Sequence, residues 1–233
     1  MPAGVAKSKA EAEVRIRRLM REPLAVHTRL VLQADRLCAR AVEANAAGPK
    51  SSEASAVCTL LLVRATNDLR CMLGLVRRGY LLQSWSLGTS LIEASVSIGY
   101  VRADPARARA WLTHADLTRS PWSVRKATSE TARGFGHQTL ADTLYKQFQY
   151  LSVAKHGNPA LLRQYGVSRA TAGGSRIQLD PHHSPGLERL LKTGMNIAVR
   201  FHSLGLACFV RDHVPDIPIT GRLERYSLEV ADL

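Results

Sequence analysis

Aromatic residues make up only 6% of this 233-residue chain, and runs in which Val, Ile, Thr or Tyr alternate with polar residues are scarce. Half-buried strands are built on that alternation, so helix is favoured over strand. Cysteine is sparse as well. Cys38, Cys58, Cys71 and Cys208 show no Cys-x-x-Cys spacing. Each falls in an apolar helical stretch, and the four are expected to be small reduced core residues. The opening stretch MPAGVAKSKAEAEVRIRRLM has no apolar run after its charges, so no secretory signal is expected and the cytoplasm is the expected location. Between Arg78 and Arg102 only Glu93 carries a charge. That length reaches across a bilayer, but Gln83, several serines and the carboxylate fit a buried core helix better, and no membrane partner is expected. Gly-x-Gly-x-x-Gly, phosphate-loop, nucleophile-elbow and His-Glu-x-x-His motifs are absent, and no cofactor is expected.

What the chain does have is Ala, Leu and Arg in abundance, a mix of good helix formers, and enough length for a substantial core. The expected fold is all-α, a bundle of about six to seven helices in one domain over residues 1–233. A basic N-terminal helical extension covers about 1–22, and an irregular tail is expected over about 214–233. Pro23 interrupts the first helix. Leu30, Ala34, Leu37 and Ala41 then recur at helical spacing until Gly48-Pro49. Ser51 or Ser52 can cap a third helix running to about Arg78, with Leu62, Leu69, Met72 and Val76 as its stripe and Leu60, Val63 and Cys71 widening it. Gly79-Tyr80 turns into the low-charge helix 81–102, and the two are expected to form the antiparallel centre. Asp104-Pro105 opens a short helix. Residues 119–137 mix Pro, Gly, Ser and positive charge without a period and are expected to form a basic connection with about one helical turn. A helix from about Thr139 to Lys155, a long loop over 166–184 and a last helix over 186–212 complete the order.

The formal net charge of +13, with 25 Arg against 7 Lys, creates a field that attracts phosphate. A GC-rich genome would also give an Arg- and Ala-rich composition, and the charge runs along the whole chain rather than in one tail. The most suggestive local feature is YLSVAKHGNP, residues 150–159, where Ser152 and His156 lie four apart at a helix end. A helix C-terminus stabilises a cationic imidazole, so His156 can serve as acid, base or phosphate contact beside Lys155, or merely cap the helix and pack near Tyr150 or Tyr165. Glu93, in an apolar helix, needs a cationic partner, expected to be Arg64 or Arg70. Arg109 and His114 form an Arg-x-x-x-x-His pattern at the frequency chance supplies. Asp180, His182 and His183 are metal-binding types without further ligands nearby, and no metal is expected.

Residues 71–112, CMLGLVRRGYLLQSWSLGTSLIEASVSIGYVRADPARARAWL, together with YLSVAKHGNP, resemble a family of bacterial helical domains of unknown function. That family is distantly similar to HEPN domains, the nucleotide-binding and ribonuclease-like bundles of prokaryotic defence and toxin systems. The resemblance implies a HEPN-like antiparallel core over about residues 55–210. It places Glu93 at the family's glutamate, and Ser152, His156 and Gly157 on its Ser-x-x-x-His-Gly positions. Thr89 stands where the family has arginine, and Leu151 where a HEPN ribonuclease needs one, so cleavage by that mechanism is not implied. The resulting expectation is a nucleic-acid- or nucleotide-binding protein of a bacterial defence, stress or toxin-antitoxin setting. It would act as a homodimer and contact RNA or DNA through Lys155, Arg163, Arg125 and Lys126. Two alternatives stand beside it. One is a metal-independent ribonuclease using His156, Ser152 and Glu93, with Lys155 or Arg163 replacing the missing arginine. The other is a non-catalytic interaction module for an acidic protein partner.

Overall fold

Apolar residues at helical spacing produce a helical bundle, and the computed structural model describes it over residues 3–48, 52–102, 104–116, 120–155, 167–171, 174–177, 185–214 and 217–233. Helix α1 spans Ala3–Leu19. The turn at Pro23 then passes the chain to α2, Ala25–Ala47, while Ile16, Met20 and Leu24 are fully buried and tie the N-terminal helix to the core. Ser52 caps α3, Glu53–Val76, by accepting a hydrogen bond from the Ser55 amide at 3.1 Å. The turn after α3 closes at Gly79, whose φ of 83° is the left-handed conformation open to glycine, with the Tyr80 amide reaching back to the Leu75 carbonyl.

Helix α4, Leu81–Val101, has 15 buried residues out of 21, which makes it the centre of the bundle. Its charge-poor sequence is therefore a burial signal. Among the described residues no helix is long and apolar enough to cross a membrane. Asp104 accepts from the Ala106 and Arg107 amides and starts α5, Pro105–Leu112. Ser123 likewise caps α6, Val124–Gly134. Next come α7, Leu140–Lys155, and a short antiparallel hairpin of β1, Val167–Thr171, and β2, Gly174–Ile177, with Thr171 opposite Gly174. The long α8, Pro185–His213, and α9, Ile217–Ala231, complete the chain. Helix α4 packs against α3, α8, α6 and α7, whereas α9 packs on α2 and α8.

Close approach at the centre depends on small residues. A Cβ at Gly205 of α8 would lie 3.0 Å from the Ser95 backbone of α4, and one at Gly194 would meet the Trp85 indole at 2.5 Å. Polar groups inside are mostly bonded: Trp122 Nε1 donates to Ser97 Oγ at 3.0 Å and Thr131 Oγ1 to the Val96 carbonyl at 3.1 Å.

Several expectations are corrected. The described residues contain nine helices rather than six or seven. The basic connection over 119–137, expected to hold about one helical turn, holds an 11-residue helix instead, because Ser123 caps it and Ala127, Thr128, Thr131 and Ala132 bury one face. Its interior is small rather than strongly apolar, so the period is faint. The tail expected to be irregular is α9: Ile219, Leu223, Tyr226 and Val230 recur at helical spacing and are all buried. Pro218 lies in the first turn, where a missing amide costs no hydrogen bond. The loop expected over 166–184 contains the hairpin. On α3, Leu60 is 57% and Val63 41% exposed, and Cys71 is exposed while Cys38, Cys58 and Cys208 are buried and free. The apolar flank of α3 is thus a solvent face.

Candidate functional site

The residues singled out along the sequence meet only in part. Glu93, on α4, pairs with Lys155 at the end of α7, Oε1 to Nζ at 3.3 Å. This replaces the expected pairing with Arg64 or Arg70, since Arg64 turns to Asp68 and Ser90 and Arg70 to Asp35 on nearer faces. Ser152 donates its hydroxyl proton to the Gln149 carbonyl of its own helix at 2.8 Å. Arg125 lies over the Tyr145 ring, 5.5 Å from its centroid, and Lys126 lies 5.5 Å from that of Tyr100, which Arg107 approaches at 4.3 Å. Arg109 pairs with Glu53 at 3.2 Å. His156, Gly157, Arg163, Asp180, His182 and His183 lie outside the described residues. No group of three metal-ligating side chains occurs among the described residues.

The Glu93–Lys155 pair is half in water, with side chains 30% and 50% exposed. Exposed pairs contribute at most about 1 kcal/mol. Lys155→Ala is therefore expected to lower stability by less than about 1 kcal/mol in urea unfolding, and a loss of more than twice that would show the pair to be a structural anchor.

A different region gathers charge around a concavity. A cavity of about 330 Å³ lies between α2 and α9. Gln33, Arg36, Leu37 and Arg40 line it from α2. Arg222, Arg225, Tyr226 and Glu229 line it from α9. Each set follows the same spacing, i, i+3, i+4, i+7, which is one face of a helix, so two facing stripes form the walls. The buried stripe Leu30, Ala34, Leu37, Ala41 of α2 fixes which face is turned outward, and Ile219, Leu223, Tyr226 and Val230 do the same for α9. Packing of the two apolar faces thereby brings four guanidiniums to one place.

Many arginines outside the cavity are held in ion pairs, although Arg15, Arg18, Arg21, Arg189 and Arg200 have none among the described residues. Arg29, Arg64, Arg70, Arg102, Arg107, Arg109, Arg133 and Arg211 all engage carboxylates. Around the cavity, Arg36, Arg40 and Arg222 have no ion pair among the described residues, and Arg225 bonds only the Gly221 carbonyl of its own helix, at 3.4 Å. The single lining carboxylate, Glu229, is already held by Arg29 at 3.2 Å and by Gln33 Nε2 at 3.3 Å. Two guanidiniums about 8 Å apart repel by about 0.5 kcal/mol even in water, so a group of four is a standing demand for an anion. Two buried polar atoms also lack partners: the hydroxyl of Tyr226, which is only 1% exposed, and Gln33 Oε1. Burial pushes the Tyr226 phenol up, so it is a neutral donor.

Half of this site was open to sequence reading. The spacing of Gln33, Arg36, Leu37 and Arg40 is visible on the α2 wheel, but a tail read as irregular supplies no facing wall. Comparison with family models, curated proteins and solved structures finds no match to the chain.

Proposed function

We propose that the protein binds phosphate-bearing ligands, nucleic acid or nucleotide, through the arginine-lined cavity between α2 and α9. One observation carries this reading: four guanidiniums, none engaged by a carboxylate among the described residues, line one concavity, while many arginines elsewhere are held in ion pairs. Guanidiniums donate in a planar fork that matches phosphate oxygens, which makes arginine the suited residue. The net charge of +13 adds long-range attraction. A HEPN-like core belongs to the same proposal, with the antiparallel pair α3 and α4 as its centre. The ribonuclease alternative draws no support from the described residues, because Lys155 is taken by Glu93 and Ser152 by its own helix.

The test is binding of mixed-sequence single-stranded RNA and of a nucleotide mixture, with wild type and an R36Q/R225Q double variant. Contacts to four phosphates of a single strand imply that RNA affinity falls about 50-fold between 50 and 200 mM salt. The double variant is expected to lose at least tenfold in affinity for whatever binds. Absence of all binding at 50 mM salt, or binding untouched in R36Q/R225Q, would remove the cavity from this role.

A further inference from the structure

We infer that the α2–α9 cavity takes a free nucleoside diphosphate rather than the backbone of a nucleic-acid strand, an inference that rests on the phosphate-binding reading above. Three features of the walls support the smaller ligand.

The first is the shape of the charge. Arg36 and Arg40 are one turn apart on α2, as Arg222 and Arg225 are on α9, and both pairs face the same cavity. Neighbours at that spacing are about 5–6 Å apart at Cβ. The result is one compact cluster, suited to two adjoining phosphates, rather than a track that follows a backbone over many nucleotides. The second is volume. About 330 Å³ is at the small end of ligand pockets, the range for one compact organic molecule.

The third feature is the polar complement beside the arginines. The Gln33 amide gives its Nε2 hydrogen to Glu229, and this bond fixes which end of the amide is left. Oε1 is buried with no donor facing it. An acceptor of this kind calls for an O–H or N–H from the ligand, and a nucleoside offers several, in its sugar hydroxyls and base amino group. A buried acceptor left unpaired is costly, so a ligand that supplies the donor is selected over one that does not. Tyr226 presents the opposite need, a hydroxyl proton without an acceptor, and its ring and Leu37 provide apolar surface between the charged rims. The site therefore combines anion forks, one acceptor and an apolar floor within one concavity, the set of contacts that phosphates, sugar and base require together.

Calorimetric titration of the full chain with ADP, GDP, inorganic pyrophosphate and a single-stranded 20-mer RNA tests the inference, with circular dichroism to verify that each variant is folded. ADP or GDP is expected to bind at least tenfold more tightly than pyrophosphate. Arg36→Gln, at an exposed position, should weaken the nucleotide and pyrophosphate alike. Gln33→Leu should weaken the nucleotide at least fivefold and leave pyrophosphate within twofold. Pyrophosphate binding as tightly as both nucleotides, or Gln33→Leu binding them unchanged, would overturn the nucleoside diphosphate assignment. Binding of RNA alone, lost in Arg36→Gln, would also overturn it while leaving the phosphate-binding reading intact. If none of the four binds, both fall.

Discussion

Between pH 7 and pH 4 the folded state is expected to lose about 3 kcal/mol of stability through His202 alone. His202 of α8 is fully buried, and burial pushes its pKa down from 6.5 to about 4. The bonding explains why no proton is welcome. Thr66 donates its only hydroxyl proton to the Leu62 carbonyl at 2.8 Å, so its oxygen must accept from His202 Nε2, 2.9 Å away. Nδ1 is then the bare nitrogen, buried and without a partner, and a second proton there would find no acceptor. A folded-state pKa below the unfolded one means that the unfolded chain takes up the proton first. Stability is complete above pH 6.5, falls as the pH drops through that value and levels off near 4. His27 and His213 are also shifted down, chiefly by burial, and act in the same direction. Urea unfolding of wild type and His202→Gln at pH 7 and pH 4 isolates the central histidine, because glutamine keeps a donor for Thr66 and does not titrate. Equal acid losses in the two proteins would rule out His202 as the cause.

An effect of similar size is expected at Gly99. Helices α4 and α6 approach so closely there that an added Cβ would fall against the Thr131 hydroxyl and within 2.6 Å of its methyl carbon. Thr131 cannot yield easily: it is 1% exposed and its hydroxyl is bonded to the Val96 carbonyl. Gly99→Val is expected to cost about 3 kcal/mol, the upper part of the range for overpacking. The fitting control is Gly74→Ala on α3, where a new Cβ meets nothing within 4 Å. Helix propensity should make that variant neutral or up to about 1 kcal/mol more stable. Thermal melts of the pair decide the matter, and a Gly99→Val protein within about 1 kcal/mol of wild type would mean that α6 moves aside freely.

Local reading succeeds at helix ends. Ser52, Asp104 and Gly79 are punctuation that acts within a few residues, and the helices they bound occur close to the expected positions. Glycine and serine in α4 likewise read as a buried helix, because charge is too costly at the centre of a bundle. Local reading fails where burial is achieved by small residues or resisted by prolines. Helix α6 buries Ala and Thr, which leave little periodic signal, and α9 follows Pro215 and contains Pro218, which suggest irregular chain until Tyr226 and its neighbours find a surface to cover.

The charge has the same history. Composition alone determined that the chain is basic, helical and free of the common catalytic loops, since those properties belong to residue types and short spacings. Only the tertiary structure decided which arginines keep their charge unopposed. Asp35, Glu53 and Asp212 neutralise arginines far from them in sequence, at Arg70, Arg109 and Arg102, and no spacing rule predicts such pairs. Because α9 folds back onto α2, Arg222 and Arg225 come to face Arg36 and Arg40 across one cavity, and a diffuse excess of charge is gathered at one concavity.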